Sequence, residues 1–558
     1  MRVPISKLSS AKYIFVTGGV MSGVGKGVTT ASIAYLLKRN GYKIALVKCE
    51  NYLNVDSGTI NPIEHGDPFL TEDGLEADMD LGTYERFLNE DMKFENYITM
   101  GQIYKTVIDR ERSFGYNGKT VEPVEAIANE IILRLRKAQS ISNAEIVVVE
   151  LGGTAGEYQN IMYYEASRMM KYRHKDQVVH IHVAYAPIPP HLGEPKSKPV
   201  QLSVQTLNSM GIQPDFIVIR SEKLFDTKRK EKLSMYCNIE PEDIIANPDL
   251  KSIYELPSIF HKQNFETKIL QKFSLKPKKK SNLSELTKLI NNIQKPKDKS
   301  IEIGIVGKYF GTGDYNFVEA YASLIDAVKH ASWSLQVEVK FRFINSEKQE
   351  NEIPKNLHGL NGIIVPIGWG ERGSEGKIKA IKYARETKTP YLGLCFGMQL
   401  AAIEYARSIL GWSDSNSQEI DPDTSHPIIH AIPEEERYQR IKAKGVSMRL
   451  GAFDCLIKEG TLAYNIYDKH NAWKDKKNLL ISERHRHRYE FNNFYRKDLE
   501  KAGLVFSGTS PDDFFVEIIE LPKKIHPFFI ATQAHPEYKS RPTNPHPMFI
   551  EFLKACLN

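Results

Sequence analysis

Gly393-Leu394-Cys395-Phe396-Gly397-Met398-Gln399 is the stretch on which the reading of this chain turns. Ahead of the cysteine, Tyr391 to Leu394 is an apolar run of the kind that forms a buried strand. Behind it, Gln399-Leu-Ala-Ala-Ile-Glu-Tyr-Ala406 carries a helical pattern. Gly-x-Cys-x-Gly between the two is the thiol counterpart of a nucleophile elbow, a strained strand-to-helix turn with glycines where a side chain would clash. Such a turn exposes its nucleophile at the carboxyl end of a sheet. The helix N-terminus behind it stabilises a thiolate and offers N–H groups to an oxyanion. Taken alone, the stretch reads equally well as a cysteine buried in a core strand.

Two further stretches favour the elbow. Phe528-Phe-Ile-Ala-Thr-Gln-Ala-His535-Pro536-Glu537 is a second apolar strand that ends in His-Pro-Glu. Two residues apart in extended chain, His535 and Glu537 project the same way. A carboxylate on the far nitrogen of a histidine sets the tautomer that serves a thiol. Upstream, Gly362-Ile-Ile-Val-Pro366-Ile367-Gly368-Trp369-Gly370 is a third strand, whose glycine-rich turn supplies a second oxyanion donor. A strand turn, an elbow cysteine and a strand-end His-x-Glu, in that order along the chain, resemble the class I (triad) glutamine amidotransferases.

With 558 residues the chain holds at least two cores. Its 75 Lys and Arg against 69 Asp and Glu leave a net charge of +6, too little over this length to imply nucleic acid or membrane attraction. Five cysteines without metal-like spacing suit a reducing cytosol. The longest apolar runs are too short to span a bilayer, and Tyr13-Ile-Phe-Val-Thr17 is too short for a signal peptide. These features predict a soluble, cytoplasmic protein.

Tyr13 to Thr17 leads into Gly18-Gly19-Val20-Met21-Ser22-Gly23-Val24-Gly25-Lys26-Gly27 and then into an amphipathic helix, Val28 to Arg39. A glycine-rich loop between strand and helix wraps phosphates with backbone N–H groups, and Lys26 adds a point charge. Ser22, Gly23, Val24, Gly25, Lys26 and Gly27 are therefore read as binding the phosphates of a nucleoside triphosphate such as ATP. Valine at position 20 breaks the usual P-loop spacing, and Gly27 replaces the Ser or Thr that holds Mg²⁺. The metal must find its oxygens elsewhere. Candidates are Asp80, in an acidic segment that by itself reads as a solvated loop, and Glu150, which ends the buried strand Ile146-Val-Val-Val-Glu150.

From here the resemblance narrows to the CTP synthase family. Phe15-Val-Thr-Gly-Gly-Val-Met-Ser22, Asn54-Val-Asp56-Ser-Gly58-Thr59, His65-Gly66, Thr71-Glu-Asp-Gly74 and Asp80-Leu-Gly-Thr-Tyr-Glu-Arg-Phe87 are similar to its segments, in unbroken order. So are Glu150-Leu-Gly-Gly-Thr154, Lys196-Ser-Lys198-Pro-Val-Gln201, Gly211-Ile-Gln-Pro214, Arg220-Ser221, Met448-Arg-Leu-Gly451 and Glu483-Arg-His-Arg-His-Arg-Tyr-Glu490. The resemblance implies ATP-dependent amination of UTP to CTP: phosphorylation of the uracil 4-oxygen, then displacement by ammonia that Cys395, His535 and Glu537 release from glutamine and an internal channel delivers. It implies Mg²⁺ and ATP as cofactors, GTP as allosteric activator, and a homotetramer, a dimer of dimers that can extend into filaments.

Residue by residue, the resemblance assigns Lys26 and Lys48 to phosphate, Arg220 to the neighbourhood of the adenine, and Asp80 and Glu150 to magnesium. Ser22, Glu157, Gln159, Lys196, Lys198, Gln201 and Lys232 fall to UTP or CTP. Gly368, Phe396, Gln399, Glu419 and Arg486 fall to glutamine, and Arg372, Arg449 and Arg484 to GTP. Without the family, the Arg-His run reads as a solvated basic patch or a nucleic-acid contact, the latter disfavoured by the few charges and the lack of interleaved aromatics.

Three segments depart from the family pattern. Its Pro-Gly-Gly-Phe-Gly is Pro366-Ile-Gly-Trp-Gly370 here, so the oxyanion turn survives only if Ile367 takes a compatible φ. Its Asp-Pro-Tyr is Glu50-Asn51-Tyr52, and its Gly-Asp-x-Glu is Gly156-Glu157-Tyr158-Gln159. The last leaves open an amidoligase for another nucleotide or a modified pyrimidine. A non-catalytic assembly or regulatory paralogue is the third reading.

Strands alternate with helical patterns in both halves, which predicts two doubly wound α/β domains with largely parallel sheets. The expected division is a synthetase domain over 1–274, a Lys- and Pro-rich linker over 275–300, and a glutaminase domain over 301–558.

Overall fold

Tyr13-Ile14-Phe15-Val16 has no polar face, and none of the four is more than 1% exposed, as befits a central strand of a parallel sheet covered on both sides. The computed structural model describes residues 10–60, 66, 68–312, 315–316, 318–348, 350–433 and 448–558; His65 lies outside them. They fall into two units. Met1–Thr59 joins Asp80–Ile293, and Ile60–Met79 joins Gln294–Asn558.

In the first unit seven parallel strands form one sheet, in the order Tyr97–Thr99, Ile44–Glu50, Ile146–Leu151, Lys12–Gly19, Val178–Tyr185, Phe216–Ser221, Ile244–Pro248. Parallel neighbours need crossovers, and helices such as Lys26–Arg39 and Pro123–Ser142 provide them. Every strand thus ends at the same edge, where ligands bind in open α/β sheets. The Lys- and Pro-rich stretch belongs to this unit as far as Ile293, and from Gln294 onward to the second. Tyr42 donates to the Lys276 carbonyl at 2.5 Å, and helix Ser284–Gln294 buries Leu286 and Leu289.

The second unit has a nine-stranded sheet. Val337–Asn345, Lys299–Gly307, Gly362–Val365, Tyr391–Leu394 and Phe529–Thr532 run parallel. Val516–Glu520, Val505–Thr509, Arg449–Ile457 and Leu480–His487 extend it antiparallel. Strand alternation splits the core in two. Ile364, Leu392 and Ile530 face one way and pack with residues of helices Ala322–Leu335 and Pro547–Cys556. Ile363, Tyr391 and Ala531 face the other way, towards helices Ser374–Thr387 and Phe396–Ile409.

Ile60–Met79, placed with the first domain by the sequence reading, groups with the second unit. The short ribbon Phe69–Leu70 against Glu76–Ala77 is closed by Thr71-Glu72-Asp73-Gly74. Gly74 takes φ 88°, the left-handed position that such a hairpin loop reserves for glycine.

Candidate active site

At the carboxyl edge of the first sheet, strand Lys12–Gly19 passes into its loop through Val20 at φ 79°, a strained value for a β-branched residue. Gly23 at 73° and Gly25 at 91° complete the wrap. Ser22 and Gly23 are exposed, Val24 is buried, and Gly25 caps helix Lys26–Arg39. The Lys26 stem lies across Gly18, where a β-carbon would meet its Cδ at 2.7 Å, and its Nζ donates to the Gly153 carbonyl at 2.7 Å. Burial lowers the Lys26 pKa, against the pull of Glu150.

Lys48 sits amid three carboxylates, 2.8 Å from Glu150, 3.1 Å from Glu50 and in contact with Asp80. Tyr84 donates to the other oxygen of Glu150, whose pKa burial raises despite Lys48. The Asp80 carboxylate fills the space that a β-carbon at Gly27 would need. The oxygen that a P-loop Ser or Thr offers a metal is therefore replaced by a carboxylate at the same place. Two hard oxygen donors beside the loop fit Mg²⁺, which takes one or two carboxylates and completes its shell with phosphate and water.

Two of the departures meet in space. Glu157 accepts from the Thr154 N–H at 2.7 Å and hydroxyl at 2.6 Å, and from Gln159 at 3.2 Å and Asn51 at 3.3 Å. Burial pushes its pKa up, but these Thr154 and Gln159 bonds hold it below the usual range. On the other flank of the central strand, Arg220 pairs with Asp249 at 2.7 Å. Glu194 ties Lys196 (2.8 Å) to Arg229 (2.6 Å) on helix Thr227–Cys237, which also carries the exposed Lys232. Lys198 is exposed at the start of helix Lys198–Ser209, and the buried Gln201 donates to Ser197 at 3.2 Å.

In the second unit, Cys395 stands at φ 52°, ψ −103° between strand Tyr391–Leu394 and helix Phe396–Ile409. A left-handed φ at a non-glycine residue is the strain of a nucleophile elbow. Gly393 and Gly397 make it possible. A β-carbon at the first would meet the Tyr391 hydroxyl at 2.6 Å, and one at the second would collide with the Val365 carbonyl. The neighbouring parallel strand, Phe529–Thr532, brings His535 to the same edge.

His535 is fully buried, with Nδ1 2.7 Å from Glu537 Oε1. Burial alone would lower its pKa, but Glu537 and the Cys395 sulfur outweigh it and raise it to about 10. Among the described residues its Nε2 is buried without a hydrogen-bond partner, and Cys395 is one of the groups that raise its pKa. The Cys395 sulfur lies 3.7 Å from the Arg486 carbonyl and 3.7 Å from Gln533 Nε2, which donates to it.

Ile367 is buried and lies outside the left-handed region, so the substituted turn Pro366–Gly370 is accommodated without strain. Two lysines hold its carbonyls. Lys377, fully buried, donates to Pro366 at 2.8 Å and Ile367 at 3.1 Å, and burial drives its pKa far down. Lys308, with a pKa lowered by burial to about 8, donates to the Trp369 carbonyl and, at 3.3 Å, to that of Gly370. A trans peptide points its N–H opposite its carbonyl. Accordingly the Gly370 N–H, on the far side of the Trp369 carbonyl, reaches Glu419 at 2.9 Å. Gly368 leaves room for both lysines, since a β-carbon there would lie 2.9 Å from Lys377 Nζ. Burial raises the Glu419 pKa. Gln399 donates to the Tyr489 carbonyl at 2.9 Å and to Gln533 at 3.2 Å.

The Arg-His run is not a solvated patch. Arg484 and Arg486 project from one face of strand Leu480–His487, His485 and His487 from the other, and all four are buried. Arg449, expected at an activator, is enclosed between the rings of Phe453 and Phe515 and paired with Glu517 at 2.8 Å and Glu490 at 3.1 Å. Arg484 donates to the Leu70 carbonyl at 2.8 Å. An outside anion meets neither guanidinium in this conformation. Arg372 is half exposed, 3.6 Å from Glu347. Gln533, Lys308 and Lys377 were not read from the sequence. Gln533 stands two residues before His535, at the end of the same apolar strand, and was the one within reach.

Residues 12–275 match the family model for the CTP synthase N-terminus, and residues 316–555 match that for glutamine amidotransferase class-I. A CTP synthase of Caldanaerobacter subterraneus subsp. tengcongensis is 45% identical over 98% of both chains. One from Pyrococcus furiosus is 44% identical, again over 98% of each. Among solved structures, the glutaminase domain of a Trypanosoma brucei CTPS with bound acivicin is 36% identical, covering 46% of this chain and 94% of that one, with a TM-score of 0.40.

Proposed function

The chain belongs to the CTP synthase family, and from that premise we propose how its residues divide the glutamine-dependent conversion of UTP to CTP. The enzyme is a carbon–nitrogen ligase with UTP, ATP and glutamine as substrates. The observation that carries the assignment of roles is the strained Cys395 beside the buried His535–Glu537 pair.

At the glutaminase site Cys395 attacks the glutamine amide. His535, held by Glu537, takes the thiol proton and returns it to the departing ammonia. The oxyanion is met by N–H groups of Gly368 and Phe396, and Lys377 and Lys308 orient the turn that carries the first. Gln533 donates to the sulfur and steadies it as thiolate. Glu419 and Arg486 present opposite charges to the ammonium and carboxylate of glutamine, and Gln399 braces the site.

At the synthetase site the loop Ser22–Gly27 and Lys26 hold the ATP phosphates, with Lys48 beside them and Arg220 near the base. Lys196, Lys198, Gln201 and Lys232 bind the triphosphate and base of UTP, and Glu157 and Gln159 face the pyrimidine of UTP or CTP. Transfer of the γ-phosphoryl to the uracil 4-oxygen turns a poor leaving group into a good one, and ammonia displaces it. Asp80 and Glu150 would hold Mg²⁺, which supplies charge neutralisation at the transferring phosphoryl.

GTP is proposed as activator of the glutamine reaction. Arg372 is an exposed contact for it, whereas Arg449 and Arg484 act from the interior by holding their strands. Raised glutamine-dependent turnover with GTP, and unimproved ammonia-dependent turnover, is the expected result. Equal stimulation of both refutes the assignment. The homotetramer is likewise proposed, and light scattering tests it. CTP formation from UTP, ATP and glutamine by the purified protein, with ammonia able to replace glutamine, tests the reading as a whole. Failure with either nitrogen source overturns it.

A further inference from the structure

The ribbon of residues 68–77 is seated in the second unit by close and specific contacts. Gly74 and Gly451, both left-handed, pass so near one another that a β-carbon at 451 would lie 2.7 Å from the Gly74 nitrogen, and one at 74 would lie 2.8 Å from the Leu450 carbonyl. The Ala452 N–H donates to the Glu72 carbonyl at 2.9 Å. Tyr538 donates to the Pro68 carbonyl at 3.0 Å and meets Phe69 edge-on at 5.3 Å. Its ring in turn stacks on His535 at 5.2 Å.

Glu76 completes the arrangement. Its carboxylate accepts from Arg486 Nε at 2.5 Å, and both side chains are less than a tenth exposed. On its other side the Arg486 guanidinium lies 5.6 Å from the centre of the Trp369 ring, in the turn that carries Gly368. The backbone carbonyl of the same Arg486 is 3.7 Å from the Cys395 sulfur. A charge-assisted bond at this depth fixes the plane of the guanidinium as well as its place.

We propose that Glu76 is a positioning residue of the glutaminase site. It orients Arg486 for the carboxylate of glutamine, and the ribbon that carries it is a working part of that site. This rests on the reading of Cys395 and Arg486 given above.

Glu76→Gln keeps the shape and removes the charge. Its KM for glutamine is expected to rise about ten- to a hundredfold, the worth of a hydrogen bond to a charged group. Glu76→Asp, charged but shorter, should fall between this variant and the parent. Alkylation of Cys395 by a glutamine-shaped chloroketone should slow by the same factor, while alkylation by iodoacetamide, which needs no amino-acid recognition, should not. Ammonia-driven synthesis, which uses none of these groups, reports whether the variant is folded.

An unchanged glutamine KM overturns the proposal. So does an equal loss of the glutamine and ammonia reactions, which would make Glu76 structural for the whole chain. Cys395→Ala is assayed in parallel. If it retains glutamine-driven synthesis, the reading of the site itself fails, whatever Glu76 does.

Discussion

Asp80 and Gly27 share one position in space: the Asp80 carboxylate lies where a β-carbon on residue 27 would be. The loop therefore needs glycine there because a carboxylate has taken the place of the usual hydroxyl. Gly27→Ala is predicted to push Asp80 aside while leaving the strand and helix intact. Both glutamine- and ammonia-driven synthesis should fall by roughly tenfold or more, with a raised Mg²⁺ requirement and little change in Tm. Normal magnesium dependence in this variant would show that Asp80 holds no metal.

His535 keeps its proton up to about pH 10, against an ordinary value of 6.5. A folded-state pKa raised above the unfolded one contributes stability that is fully present below about pH 6.5 and is lost as pH rises through about 10. Glu537→Gln removes the main group that raises it. The Tm gap between parent and variant is therefore predicted to be widest in mild acid and to close towards pH 10. A gap that stays constant or widens with pH contradicts the assigned cause.

What could be read in advance was what lies contiguous in the chain. Gly-x-Cys-x-Gly between an apolar run and a helix, and His-x-Glu at a strand end, each carry their geometry in a few residues. Pairings between distant segments carry no such mark. Glu76 stands four residues before Asp80, and no periodicity reveals that its ribbon docks beside Arg486. Lys377 sits in a helix of mixed polarity, where a lysine ordinarily faces water, and only the folded turn shows its ammonium spent on two carbonyls. The burial of the Arg-His strand was hidden for a related reason. Charge in sequence suggests solvent, but in the fold His485 and His487 lie beside Glu517 and Glu490, Arg486 pairs with Glu76, and Arg484 donates to the Leu70 carbonyl.

Glu157 is already committed to Thr154, Asn51 and Gln159, and at position 159 a neutral glutamine stands where the family resemblance implies a carboxylate towards the pyrimidine. Neutral Gln159 forfeits a hydrogen bond to a charged group, about 1.5–3 kcal/mol or roughly ten- to a hundredfold in affinity. CTP is accordingly predicted to inhibit this enzyme weakly, and Gln159→Glu to tighten inhibition at fixed UTP. An inhibition constant unchanged by the substitution contradicts this.

The glutaminase and synthetase sites carry separate chemistry, and Cys395→Ala assayed with both nitrogen sources tests that separation most directly. Loss of the thiol should lower glutamine-driven CTP synthesis by about a thousandfold or more, and leave ammonia-driven synthesis within about twofold of the parent. Lys26→Ala, made alongside it, should remove both. Loss of the ammonia reaction in a folded Cys395→Ala protein, or survival of the glutamine reaction, would contradict this division of labour between the two sites.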